Sequence, residues 1–236
     1  MATTWDKALF DAAYSLLGEP NGHPNTRTGI RLHYCRAAMY PIIQRRAQQL
    51  IEVLGLTTTD RILLVACGFG WTVEVLAGLG YTVVGTDTSA YIHSSKTTSE
   101  DTDIRAAITD AGLDPTTGEG LTHLNRLKGD GVRTRATILN EDNATTSSRN
   151  RVRSALGRAP TVIITENLMS CLTDAEGLVL HTNLSGYSAS VRIVHLLTEF
   201  ANTAPPFNFN SKSIDDWKLL FPTATIVADG YTFVVV

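Results

Sequence analysis

The chain has 236 residues, 43% of them hydrophobic and 18% charged. That apolar content builds a full core and excludes a wholly disordered chain. A formal net charge of -3 excludes a global basic field that would hold a long nucleic acid by counterion release.

The opening MATTWDKALFDAAY carries charges where a secretory signal would be apolar. Residues 5–17 place Leu9, Phe10, Ala13, Leu16 and Leu17 at helical spacing, and Gly18 stops that helix. Residues 19–29, with Pro20, Pro24 and a run of polar breakers, predict a loop. A second helical stretch runs from about Leu32 to Leu56, and Pro41 must start a new helix there or kink this one. Ile42, Ile43, Ala47, Leu50, Ile51 and Leu54 share one face of it, and Gly55 closes it.

From there strands and helices alternate. Arg61–Ala66 (RILLVA) is a continuous apolar run, the pattern of a strand buried on both faces. Its neighbourhood is the longest apolar run, far too short to span a membrane, so no membrane partner is expected. Residues 72–78 predict a helix and Tyr81–Thr86 (YTVVGT) a second strand. Residues 91–131 are rich in Thr, Ser, Asp and Gly and predict an insertion or lid, with a short helix at 103–111. Arg135–Asn140 is a third strand, Arg149–Leu156 a basic amphipathic helix and Thr161–Thr165 a fourth strand. Thr173-x-x-Glu176 is a capping box opening a helix to about Leu184. Val191–Leu197 is a fifth strand, and Ser213-x-x-Asp216 starts a last helix through Trp217. Thr223–Val227 and Tyr231–Val236 form a hairpin around Asp229-Gly230, an antiparallel edge to the sheet. The alternation predicts an α/β three-layer sandwich, a mostly parallel seven-stranded sheet with helices on both faces and an antiparallel last strand. The expected organisation is a single domain over 1–236, with an N-terminal helical lid at 1–56 and a ligand-binding core at 57–236. The cysteines, Cys35, Cys67 and Cys171, form no C-x-x-C pair, so no disulfide scaffold and no metal site are expected. A soluble cytoplasmic protein is expected.

The chemistry concentrates in the turn after the first strand, Ala66-Cys67-Gly68-Phe69-Gly70-Trp71. Gly68 and Gly70 permit a tight turn and a close ligand approach. The helix that follows offers unpaired N–H groups at its start. Asp87 ends the second strand, where a carboxylate accepts two hydrogen bonds from a ribose diol. Strand, glycine loop, helix, strand and acid form a nucleoside-binding layout. A dinucleotide fingerprint would put a third glycine at position 73, which is Val73, and no P-loop is present.

These residues resemble the class I S-adenosylmethionine (SAM)-dependent methyltransferases over about residues 40–236. The family's first motif, roughly V-L-D-x-G-C-G-x-G, aligns with Ile62–Gly70, I-L-L-V-A-C-G-F-G. Leu64 replaces the motif's acid, which organises the methionine end of SAM, and Ala66 replaces its first glycine. The Gly-Phe-Gly-Trp and Gly-Thr-Asp-Thr-Ser turns also look similar to short methyltransferase-like proteins of environmental phages. The resemblance implies SAM as cofactor, with Ala66, Cys67, Gly68, Phe69 and Gly70 cradling it and Asp87 and Thr88 at the ribose. It also implies Asp142 and Asn143 at the adenine, and Glu166 and Asn167 after the fourth strand.

Methyl transfer is an in-line displacement that needs alignment above all, so little catalytic machinery need be visible. No proline precedes a cysteine, and Thr165-Glu166-Asn167-Leu168 lacks an amino-methylating motif, so nucleic acid is not indicated as acceptor. Glu166 has three open roles: base, partner of an acceptor cation, or holder of the SAM amino group. Trp71 either stacks on a substrate or packs on the sheet, and Arg36 and Tyr40 are placed to cover the methionine carboxylate. His93, His181 and His195 are read as loop, surface or satisfied histidines, Cys67 as a packing residue, and Arg149, Arg151, Arg153 and Arg158 as a solvated face. No catalytic residue is assigned. The expected function is a SAM-dependent methyltransferase acting on a small or unidentified acceptor. The alternatives are a non-catalytic binding or structural protein of the same fold and, third, a NAD-binding oxidoreductase.

Overall fold

The computed structural model describes residues 39–68, 70–88, 137–166, 168–197, 212–228 and 232–236, with scattered residues between 102 and 124. The predicted helix at 5–17, the loop at 19–29, Arg36, Phe69, His93 and Asn167 lie outside the described residues.

The elements are α1 (Met39–Leu54), β1 (Arg61–Val65), α2 (Trp71–Gly78), β2 (Thr82–Thr86), β3 (Thr137–Leu139), α3 (Thr146–Leu156), β4 (Val162–Glu166), α4 (Asp174–Ser185), β5 (Arg192–Leu197), α5 (Ile214–Leu220), β6 (Thr225–Ala228) and β7 (Thr232–Val235). A single 3₁₀ turn, Met169–Cys171, precedes α4. The sheet order is β3-β2-β1-β4-β5-β7-β6. β1 through β5 pair in parallel, and β7 runs antiparallel to both β5 and β6.

Pro41 falls in the first turn of α1, where its missing N–H has no intrahelical partner to lose. The apolar run of β1 is used on both faces. Ile62 and Leu64 join a core layer with Ala47, Leu50 and Leu54 of α1 and Val73 and Leu76 of α2. Leu63 and Val65 join the opposite layer with Val152 and Leu156 of α3 and Leu184 of α4. A third cluster gathers Met169, Trp217, Phe221 and Val234. Ile108 and Leu124, from the stretch read as an insertion, are buried in the first layer.

The predicted capping box at Thr173 forms, and the helix start at Ser213 is a second one. Thr173 exchanges bonds with Glu176, and Ser213 with Asp216. α3 begins three residues before the sequence expectation, because the Thr145 hydroxyl accepts from the Ser148 amide and caps it. The C-terminal hairpin forms and makes the expected antiparallel edge of the sheet. β7 lies inside the sheet between β5 and β6, so β6 is the edge. Val236 continues the pairing by exchanging backbone hydrogen bonds with Ile193 at 2.8 and 3.1 Å. Among the described residues no helix is long and apolar enough to cross a membrane.

Candidate functional site

β1 connects to β2 on one side and is paired with β4 on the other, so the chain direction across the sheet reverses between β1 and β4. A crevice at the carboxyl ends of the strands opens at such a switch point. Ala66, Cys67, Gly68 and Gly70 follow β1, Asp87 and Thr88 follow β2, and Glu166 ends β4.

The turn after β1 is shaped by three left-handed residues, Ala66 (φ 54°), Gly68 (φ 56°) and Gly70 (φ 76°). The Cys67 amide donates to the Thr86 carbonyl at 3.0 Å, and the Gly70 amide to the Cys67 carbonyl at 2.9 Å. A Cβ built on Gly68 would meet nothing within 4 Å, so that backbone faces open space. The Gly68 amide donates to Asp87 Oδ2 at 2.9 Å. A carboxylate at the end of β2 is thereby fixed beside the open face of the loop.

Ala66 occupies a backbone region that costs an L-residue roughly 1–2 kcal/mol. It stands where the resembled motif has glycine. Ala66→Gly is therefore expected to stabilise the fold by about 1 kcal/mol, part of the strain relief being lost to the greater freedom of unfolded glycine. A thermal melt of the variant checks this, and an unchanged or lower Tm contradicts it.

Gly85 of β2 explains how α2 lies close to the sheet with Val73 in place of a glycine. A Cβ on Gly85 would stand 2.5 Å from Cys67 Sγ and 3.0 Å from Val73 Cγ2. The small residue that admits close helix–strand packing is on the strand, and Cys67 packs over it. Gly85→Ala is expected to cost about 2 kcal/mol by overpacking. In a Cys67→Ala background the cost should fall below about 1 kcal/mol, because the sulfur is gone. Denaturant unfolding of the four proteins of that cycle reads the difference.

On the β4 side, Glu166 is the last residue of its strand rather than part of the loop. Arg46 of α1 donates from Nη1 to Glu166 Oε1, and Thr72 of α2 donates to Oε2 at 2.8 Å. Arg46 and Glu166 side chains are 11% and 17% exposed, so the ion pair is largely buried at the carboxyl end of β4. Sequence reasoning missed Arg46. It lies 120 positions from its partner, so no local spacing announces the pair.

The acids after β3 divide their work. Glu141 is held by Arg151, which donates from Nε to Oε1 and from Nη2 to Oε2 at 2.8 Å. That guanidinium keeps the Glu141 carboxyl below the usual range. Asp142 is exposed, and its Oδ1 accepts from the Ala144 amide at 3.0 Å. Asn143 is only 1% exposed. Its Nδ2 donates to Thr86 Oγ1 at 2.9 Å and its Oδ1 accepts from the Tyr187 hydroxyl at 2.6 Å. These bonds tie the β3–α3 turn to β2, and the Asn143 backbone is left-handed (φ 61°). Thr88 follows Asp87, partly exposed.

The basic run is engaged with the protein. Arg149 donates to the carbonyls of Ala144 and Asn183, Arg153 to those of Gly186 and Tyr187, and Arg158 to that of Thr59. With Arg151 on Glu141, these guanidiniums close helix ends and loops. Among the described residues no group of three or more His, Cys, Asp or Glu is placed to hold a metal.

His195 of β5 is fully buried, with Nδ1 2.9 Å from Thr165 Oγ1 and Nε2 3.2 Å from His181 Nδ1. Phe221 stacks on it at 5.2 Å. Burial, and then the neighbouring His181, push His195 down to about 3. It belongs to the layer opposite α1 and α2, away from the Arg46–Glu166 pair.

No family model matches the sequence, and no curated protein matches it. Solved structures do share its architecture. Human N-acetylserotonin methyltransferase in complex with SAM aligns with a TM-score of 0.54 at 7% identity, over 88% of this chain and 55% of its own. An O-methyltransferase family protein from Burkholderia thailandensis aligns at 0.50 and 12% identity, over 94% of this chain and 61% of its own. The fold is that of the class I methyltransferases. At these identities the likeness concerns the fold alone, and the chain spans less than two thirds of either counterpart. Neither lends support to the likeness with phage proteins. Within the methyltransferase fold, Ala66, Cys67, Gly68, Gly70, Asp87 and Thr88 gather around the β1–β2 ends, Asp142 follows β3, and Glu166 ends β4.

Proposed function

We propose that this chain binds SAM across the carboxyl ends of β2, β1 and β4 and transfers its methyl group to a small-molecule acceptor. The observation that carries the reading is Asp87, whose carboxylate the Gly68 amide fixes beside a glycine turn that faces open space. In this reading Asp87 takes the ribose diol, and the backbone of Ala66–Gly70 lies under the nucleoside. Asp142 and Thr88 border the base, and Glu166 stands at the other end. When bound, SAM supplies an electrophilic methyl on a sulfonium. The chain's own contribution is alignment: a rigid turn, a fixed carboxylate and a clamped glutamate hold donor and acceptor in line. No side chain is assigned to move a proton.

Titration calorimetry with SAM, S-adenosylhomocysteine and NAD tests the reading. Micromolar binding of the first two and none of NAD is expected. Silence for all three overturns it and makes the glycine turn purely structural. Binding of NAD alone restores the oxidoreductase alternative.

One observation favours a second reading, a binding protein without turnover. Leu64, at the position of the motif acid, is 1% exposed and packed in the core, so β1 itself brings no carboxylate to the site. Tight SAM binding with no S-adenosylhomocysteine formed across a broad acceptor panel is the result expected of that protein.

A further inference from the structure

Positive charge is left uncompensated at the far end of the sheet. The α1–β1 and α3–β4 connections lie at the amino ends of the parallel strands, opposite the crevice. Arg61 opens β1 there, and Arg158 lies in the α3–β4 connection. Both reach one oxygen, the Thr59 carbonyl. Arg61 donates to it from Nη1 at 3.4 Å and Arg158 from Nη2 at 2.7 Å. Two guanidiniums are thereby drawn together, and like charges at such range repel. Among the described residues no carboxylate pairs with either of them. The adjacent acid, Asp60, is already engaged. Its Oδ2 accepts from the Thr57 amide at 2.8 Å and the Thr57 hydroxyl at 3.1 Å, and its Oδ1 from the Thr161 hydroxyl at 2.8 Å.

Arg61 is the less satisfied of the two. Its bonds to the Thr59 and Asp60 carbonyls are both 3.4 Å, long for N–H donors. Its Nε is buried and has no hydrogen-bond partner among the described residues. An unpaired buried donor is costly, more so on a charged group, and packing alone does not account for it. Arg158 is exposed and engages one nitrogen only, so the rest of its fork faces water. The backbone that carries the pair is fixed. The Arg61 amide donates to Thr161 Oγ1 at 3.0 Å, and the Thr161 amide donates to the Arg61 carbonyl at 2.8 Å.

We propose that Arg61 and Arg158 form a binding site for the phosphoryl group of a small molecule, at the end of the sheet opposite the crevice. A phosphoryl dianion supplies the negative charge that the pair lacks. Its terminal oxygens accept from two guanidinium forks at once. Held between the forks, it draws Arg61 off its long carbonyl bonds and gives Nε an acceptor. The site stands apart from Asp87 and the glycine turn, so it does not depend on what the crevice binds. Arg192 provides a neighbouring control. It opens β5 in register with Val162 and Ile62, and donates to the Leu54 carbonyl of α1 at 2.7 Å. Arg61 precedes Ile62 by one residue and so belongs to the other face of the sheet.

Inorganic phosphate, ribose 5-phosphate and a short single-stranded oligonucleotide are titrated into isotope-labelled protein at constant ionic strength, and the arginine Nε–H signals are followed by NMR. The expected result is a saturable shift of the Arg61 and Arg158 signals with both small phosphates. Equal affinities identify free phosphate as the ligand, and a preference for ribose 5-phosphate identifies a phosphate ester. Arg61→Gln and Arg158→Gln are each expected to weaken phosphate binding at least tenfold, and Arg192→Gln less than twofold. A thermal melt accompanies each variant. Arg158 is exposed, so Arg158→Gln carries the test even if Arg61→Gln fails to fold. Shifts that never saturate, or an equal loss in Arg192→Gln, show a diffuse field and overturn the proposal. Absence of any response to the small phosphates overturns it too, and if the oligonucleotide alone binds, this end of the sheet is a nucleic-acid surface instead.

Discussion

Asp87→Ala is expected to weaken S-adenosylhomocysteine binding about 100-fold while the protein remains folded. A carboxylate accepting from a ribose diol makes two charge-assisted hydrogen bonds, each worth about 1.5–3 kcal/mol against an unpaired partner. Losing about 3 kcal/mol is a factor of roughly 100 in affinity. The substitution also removes the acceptor of the Gly68 amide. That amide borders open space, so water replaces the carboxylate at little cost in stability. Asp87→Asn keeps an oxygen for Gly68 and loses the charge, and a loss nearer tenfold is expected. Calorimetry gives the affinities and a thermal melt shows that both variants fold. If Asp87→Ala bound as tightly as the parent, the ribose assignment would be wrong.

Mild acid is the second lever. His195 is enclosed by Thr165, His181 and Phe221 and is pushed down to about 3 in the folded protein. An unfolded histidine titrates near 6.5. Between those values the unfolded chain binds a proton that the folded chain refuses, so stability falls as pH falls. The contribution is fully present above about pH 6.5 and is lost progressively toward pH 3. At pH 5 the loss from this one residue is about 2 kcal/mol, or a Tm lower by roughly 4–8 °C for a chain of this size. Burial lowers His181 in the same direction and steepens the fall. His195→Gln keeps a hydrogen-bonding side chain without the titration. Melts of parent and variant from pH 7.5 to 4.5 should diverge in slope, the variant being flatter by about 2 kcal/mol at pH 5. Parallel curves would show that His195 is protonated in the fold.

The architecture was legible because its signals are local. The run Ile62–Val65 announced a strand buried on both faces, and the capping box at Thr173 and the Ser213-x-x-Asp216 spacing announced two helix starts. The glycine turn and Asp87 were legible for the same reason. They lie within one strand–helix–strand unit, 19 residues apart. What sequence reading lost are pairings between distant positions. Arg46 meets Glu166 across 120 residues, and Asn143 reaches Thr86 across 57. Side-chain identity misled in the acidic turn. Glu141, Asp142 and Asn143 are all polar, yet an arginine claims the first, water reaches the second and the core encloses the third. The arginine run is largely solvated, as expected, and spacing alone did not reveal its carbonyl partners. Gly85 passed as an ordinary strand residue, since only the packed structure shows the sulfur above it.

The interior position of β7 has a consequence for the birth of the protein. β5 exposes its free edge from the moment it is synthesised until β7 follows, because β6 cannot pair with it directly. At ribosomal speeds that interval lasts roughly 2–7 s. During it, a strand reading Ile193-Val194-His195-Leu196-Leu197 presents unpaired backbone groups, the template for joining a second nascent chain. On a crowded polysome this is the moment of greatest risk, and chaperone demand should peak with β5 outside the exit tunnel and β7 still within it.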